Sequence, residues 1–116
     1  MPKTIVQVSD THLCEVHPYF ADNWQIFAEE MASLQPDLLI HTGDISLNGT
    51  MDSRAMKHIK EAVDNLRIPC IAIPGNHDIG TTGGPLKPIS EARIAHWHEH
   101  FGDDRFVHDV EDWFPV

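Results

Sequence analysis

The chain has 116 residues, which suits one domain with a real core. Its hydrophobic share of 41% fits a globular protein, and its formal charge of −10 excludes a nonspecific nucleic-acid surface, which needs a positive patch. The same acid excess attracts cations, so part of it is expected to ligate metal and the rest to be solvated surface.

Cys14 and Cys70 are too few for a disulfide scaffold, and thiols in a reducing cytoplasm are the expectation. Residues 1–4 lead directly into a strand pattern and lack a signal peptide's apolar region. No apolar run is long enough to span a bilayer. A cytoplasmic chain with no membrane partner is therefore expected.

Residues 4–8 are rich in β-branched side chains and read as the first strand. Asp10-Thr11-His12 follows at its end, and residues 10–18 read as a loop in which His17 faces solvent. Over 19–34, Phe20, Trp24, Phe27, Met31 and Leu34 recur at helical spacing, with Ile26 supporting the same buried side and Asp22 in the first turn. That aromatic stripe reads as core rather than as a nucleotide platform. Gln35-Pro36-Asp37 turns the chain into a second strand over 38–41, which ends in Gly43-Asp44.

A polar loop follows, and Asp52 or Ser53 can cap a helix running to about Leu66. Its apolar positions are Ala55, Met56, Ile59, Ala62, Val63 and Leu66. The third strand spans 68–73 and ends in Gly75-Asn76-His77-Asp78, where Gly75 permits a tight backbone path. Residues 79–85 read as a loop over the site. Ser90 starts a helix that packs through Trp97 and Phe101. His96 and His100 share a face of it and can in principle hold a metal, although a polar face is the plainer reading. Residues 106–110 read as a fourth strand, and Trp113-Phe114 begins a further apolar stretch.

The pattern is an α/β fold with a βαβαβ core and mostly parallel strands. Three apolar runs each deliver Asp, Asn or His at a C-terminal end, which is the edge where α/β sheets bind ligands. Asp10 and His12, two residues apart, can point the same way if the backbone is extended. Carboxylate and imidazole donors suit Zn, Fe or Mn better than Ca. Asp44 can bridge two ions, and Asn76 offers a neutral oxygen. His77 can transfer a proton or stabilise an oxyanion, and Asp78 can orient His77 or close the loop by accepting backbone hydrogens. Asp, Asn and Gly are also ordinary turn residues, so it is the ordered set that carries weight.

That ordered set is Asp10-Thr11-His12, Gly43-Asp44 with Gly49 five residues later, and Gly75-Asn76-His77-Asp78. It resembles the N-terminal part of a calcineurin-like metallophosphoesterase. The resemblance implies that Asp10 and His12 bind a first metal, that Asp44 bridges two, and that Asn76 binds the second. It also implies that His77 contacts the phosphate and protonates the leaving group, with Asp78 beside it. The wording of 9–13, 73–78 and 100–106 is similar to the cyclic-nucleotide phosphodiesterase branch.

The implied fold is two packed sheets flanked by helices, of which residues 1–116 would form one N-terminal part, an incomplete sandwich. The implied activity is metal-dependent hydrolysis of a phosphoester small molecule, foremost a phosphodiester such as a cyclic nucleotide. The Gly-His and Gly-His-x-His segments that complete the family's metal pair do not occur in the sequence. One transition metal ion (Mn, Fe or Zn) is therefore expected to bind firmly, where the complete site holds two, and activity is expected to be weak or absent. The uncovered sheet implies a homo-oligomer or a missing C-terminal half. A non-catalytic interaction module retaining the front half of the fold is the alternative.

Overall fold

A computed structural model describes residues 3–47, 53–81 and 89–108. Strands β1 (Ile5–Val8), β2 (Leu38–His41) and β3 (Cys70–Ala72) form a parallel sheet in the order β1-β2-β3. Helices α1 (Ala21–Leu34), α2 (Ser53–Asp64), α3 (Asn76–Ile79) and α4 (Glu91–Phe101) complete the described elements. The βαβαβ core with parallel strands is thus present. None of these helices is long and apolar enough to cross a membrane.

The register places Val6, Leu39 and Cys70 in one row and Val8, His41 and Ala72 in another on the same face. The residues of that face join two clusters. Met31 and Phe27 of α1 pack with Leu39, Val6 and Val8, while Met56, Ile59 and Val63 of α2 pack with Ala72 and Trp97. Both crossover helices therefore cover one face, as right-handed crossovers require when strand order runs in one direction. The opposite row of Gln7, Ile40 and Ile71 joins neither cluster. Among the described residues, Phe106 lies against that side, beside Ile40, Ile71 and Ile73.

Most apolar positions of α2 are buried or half-buried as expected, but α1 departs from the pattern at four places, one of them Phe20, which precedes the helix and is exposed. The helix starts at Ala21 rather than Tyr19, and the Tyr19 ring instead stacks on His17 at 5.5 Å. Ile26 is 61% exposed, because it sits about 100° around the helix from Phe27. Leu34 is on the stripe but also exposed, at the end of the helix. There Gln35 takes a left-handed conformation and its N–H closes on the Met31 carbonyl at 2.9 Å. Pro36 then prevents continuation.

Ser90 caps α4 by accepting the Arg93 N–H at 3.2 Å, and Trp97 is fully buried with Phe101 stacked on it at 4.6 Å. The fourth strand expected over 106–110 does not form over 106–108, where Val107 is 93% exposed. An apolar run makes a strand only where an edge pairs with it, and among the described residues none does. The rest of that run, the capping roles of Asp52 and Ser53, Gly49, most of the loop over 79–85, and Trp113-Phe114 lie outside the described residues. No disulfide joins Cys14 and Cys70.

Candidate metal centre

The site grows out of the β1–β2 ladder. Past the strand ends the two segments keep pairing. Thr42 N–H donates to Val8 at 2.9 Å, Asp10 to Gly43 at 3.0 Å, His12 to Asp44 at 3.0 Å, and Leu13 to Ile45 at 2.7 Å. Leu13 and Ser46 form an isolated parallel bridge. Within this continued pairing, Asp10 (φ 60°), His12 (φ 45°) and Asp44 (φ 55°) all enter the left-handed region. The extended path expected for Asp10 and His12 is therefore wrong. Left-handed non-glycine residues cost on the order of 1–3 kcal/mol each and cluster at functional sites. Here three of them are the residues with metal-ligand chemistry.

The third delivery is by close approach. Gly75 has an ordinary φ of −102°, so its backbone does not require glycine for conformational freedom. Space is the reason: a Cβ there would overlap the Asp44 carboxylate and lie 2.6 Å from the Asp44 nitrogen. Gly43 needs both, with φ 116° and an added Cβ only 2.9 Å from Gly75 N. The β2 and β3 loops thus touch backbone to backbone, and α3 begins beside Asp44. His77 N–H donates to Asp44 Oδ1 at 2.9 Å.

The ligand atoms of His12, Asp44 and His77 all lie within 4.8 Å of one another. His12 Nε2 is 3.4 Å from Asp10 Oδ1, and the His12 and His77 rings meet edge-on at 4.6 Å. His77 Nδ1 lies 2.8 Å from the Leu47 carbonyl, which only accepts, so Nδ1 carries the proton and Nε2 is left open. His12 Nδ1 is buried without a hydrogen-bond partner. The hydrogen bond from Ser9 leads in holding Asp10 below the usual carboxylate range, with His12 adding to it. Imidazole and carboxylate donors gathered this closely fit a divalent transition metal. Asn76 opens α3 with an exposed side chain.

Asp78 is 1% exposed and faces the protein. One oxygen accepts from Ser46 N at 2.9 Å and Ser46 Oγ at 2.6 Å, the other from Gly75 N at 2.9 Å and Ile45 N at 3.3 Å. Of the two roles open to it, this geometry is that of tying loops. His96 and His100 join no such cluster among the described residues, and His100 Nδ1 donates to the His96 carbonyl at 3.0 Å. Open clefts of about 200 and 380 Å³ flank Asp10 and His12, and Phe20 lines both.

Sequence reasoning missed Thr11, His41 and Ser46. A histidine inside an apolar run was the available signal for His41. It is 2% exposed, and burial pushes its pKa down to about 4. A base with a depressed folded pKa stabilises above its unfolded value of about 6.5 and loses that stability as pH falls toward about 4. The loss from this residue is on the order of 3 kcal/mol. Burial raises the Asp78 pKa, opposed by the four hydrogen bonds its carboxylate accepts. Urea unfolding from pH 7.5 to 4 should therefore show a steeper loss for the wild type than for His41→Gln. Equal slopes would refute the assignment to His41.

Several known proteins are similar to part of this chain in sequence. A chain from Escherichia coli named 3′,5′-cyclic adenosine monophosphate phosphodiesterase CpdA is 32% identical over 82 residues, covering 64% of this chain and 29% of that protein. A probable glycerophosphodiester phosphodiesterase GpdQ of Arcobacter nitrofigilis is 38% identical over 84 residues, with coverage of 64% and 29%. A probable cyclic nucleotide phosphodiesterase of Synechococcus is 34% identical over 85 residues, with coverage of 67% and 32%. The matched regions are thus about a third or less of those relatives' lengths. The family model for calcineurin-like phosphoesterases matches residues 3–116, and the chain belongs to that metal-dependent family.

Proposed function

We propose that this chain carries the metal-binding front of a phosphodiesterase, and that the reaction it serves is metal-assisted hydrolysis of a phosphodiester. The observation that carries the reading is the convergence of Asp10, His12, Asp44 and His77 at the C-terminal ends of parallel strands. Asp10, His12 and Asp44 would hold the first ion, and Asp44 with Asn76 would offer ligands to the second. When bound, the ions polarise the phosphoryl group and lower the pKa of the attacking water. His77 Nε2 faces the substrate. With Nδ1–H anchored on Leu47, it takes and delivers a proton at a fixed orientation.

Cyclic nucleotides and glycerophosphodiesters are the candidate substrates, because the names of similar proteins point to both. The motif residues recognise phosphate and metal rather than a base. With two ligands only on its second side, the chain is proposed to hold one ion firmly and to turn over weakly. Equilibrium dialysis against Mn, followed by a panel of phosphomonoesters and phosphodiesters, tests this reading. About one retained ion is expected for this chain, and Mn-dependent turnover favouring diesters once the second side is completed by further polypeptide. Absence of bound Mn would overturn the proposal, and so would preference for monoesters.

A second reading, the interaction module, is favoured by the half-buried sheet row of Ile40 and Ile71, beside which, among the described residues, Ile73 and Phe106 are exposed. An apolar strip of this kind is a surface for another polypeptide, either a second copy or more of a longer domain. That reading and the enzymatic one separate on Asp44.

A further inference from the structure

We propose that His41 and Thr11 are positioning residues for the metal ligands, locking the loop that carries Asp44 to the loop that carries Asp10 and His12. The inference rests on the metal-centre reading and adds residues that neither motif contains as ligands.

The hydrogen bonds have a determined direction. Gly43 N–H donates to His41 Nδ1 at 3.1 Å, so Nδ1 is unprotonated and Nε2 carries the proton. Thr11 Oγ1 lies 3.0 Å from His41 Nε2 and 3.0 Å from the Ile45 carbonyl. The hydroxyl has a single proton, and the carbonyl can only accept. Thr11 therefore donates to Ile45 and accepts from His41. The chain runs Gly43 N–H to His41, His41 Nε2–H to Thr11, and Thr11 O–H to Ile45, with no donor or acceptor left unmatched.

Its end points are what matter. Gly43 and Ile45 are the two neighbours of Asp44, and Thr11 lies between Asp10 and His12. The chain thus grips both flanks of one ligand and the centre of the other pair. The gripped residues Asp10, His12 and Asp44 are three of the five non-glycine residues with positive φ among the described residues. Strained conformations persist only where surroundings over-determine them. The backbone ladder already joins the two loops, so the side-chain network is not needed merely to bring them together. A buried imidazole in a strand is a costly way to fill core space, and a leucine would do that better. The network instead sets the angle at which the ligands leave the backbone, as outer-shell partners do at metal sites.

Thr11→Val tests this in the full 116-residue chain, since it keeps shape and removes the hydroxyl. Mn affinity is read by electron paramagnetic resonance titration, with melting temperature measured on the same samples. Thr11→Val should weaken Mn binding by about tenfold, the lower end of the range for outer-shell partners, and should melt below wild type because His41 Nε2–H and the Ile45 carbonyl lose their partner. Thr11→Ser should restore affinity. His41→Asn keeps an acceptor near Gly43 but cannot reach Thr11, so it should match Thr11→Val. Wild-type affinity in Thr11→Val would overturn the proposal. So would equal losses in the valine and serine variants, or a loss of melting temperature with affinity unchanged. A wild-type chain that binds no Mn would instead fail the metal-centre reading itself, which is a distinguishable result.

Discussion

Asp44→Asn should lower Mn affinity by more than about 100-fold, because removing outer-shell partners alone costs about 10–100-fold and Asp44 is proposed as a direct ligand. The substitution is nearly isosteric. Asn Oδ1 can still accept the His77 N–H now held at 2.9 Å, so α3 keeps its place beside β2. What changes is charge. The Gly43 carbonyl beside Asp44 accepts the Asp10 N–H, so two carboxylates share one site and repel when both are ionised. Without metal, Asp44→Asn should therefore melt at or above the wild-type temperature. With saturating Mn it should lose the stabilisation that metal confers on the wild type. Calorimetric Mn titration and melting curves with and without metal check both signs. Unchanged Mn affinity would remove Asp44 from the centre. The interaction-module reading meets its test in the same sample: light scattering showing self-association indifferent to both Asp44→Asn and Mn would support a docking role for the sheet face.

The part of the site that was legible in the sequence is the part written as side-chain chemistry in order. Asp10, His12, Asp44, Asn76 and His77 each follow an apolar run, and a parallel sheet brings the ends of such runs to one edge. The buried face of α2 was legible for the same reason, since a helical period repeats over its length. Local backbone geometry was not. Nothing in Asp10-Thr11-His12 announces two left-handed residues, because that conformation is imposed by pairing with a segment some thirty residues away. Gly75 reads in the sequence as permitting a tight backbone path, whereas its cause is the Asp44 carboxylate against it, a contact that exists only after folding.

The errors elsewhere have the same origin. Phe106 and Val107 satisfy strand propensity, but a strand is a property of two segments and propensity describes one. Ile26 is apolar and helical yet points away from the sheet, since α1 offers only one side to it. His41 belongs to no motif in the sequence. Its significance comes from what lies across the sheet, Thr11 on one side and Gly43 on its own loop.

Asp78→Asn should destabilise the chain by roughly 3–6 kcal/mol, since two hydrogen bonds to a charged group are lost at about 1.5–3 kcal/mol each. The carboxylate accepts four hydrogen bonds and meets only donors. Burial raises its pKa, but a protonated oxygen would find no acceptor among those four, so the ionised form is the one the pocket fits. An asparagine can point its oxygen at Ser46 and must then turn its amide hydrogens toward the N–H groups of Gly75 and Ile45. The donors would face donors in a site closed to water. Because Asp78 joins the neighbours of Asp44 to the start of α3, the same change should also loosen the spacing of Asp44 and His77 and weaken Mn binding. Ser46→Ala removes one bond to the carboxylate and leaves three. It should cost about 1.5–3 kcal/mol and serves as the measurable variant should Asp78→Asn not fold. Urea unfolding at neutral pH checks the ranking of the two. An Asp78→Asn chain within about 1 kcal/mol of wild type, inside the range of ordinary surface substitutions, would show that the loops after β2 and β3 are held together by their backbone contact at Gly43 and Gly75 rather than by this carboxylate.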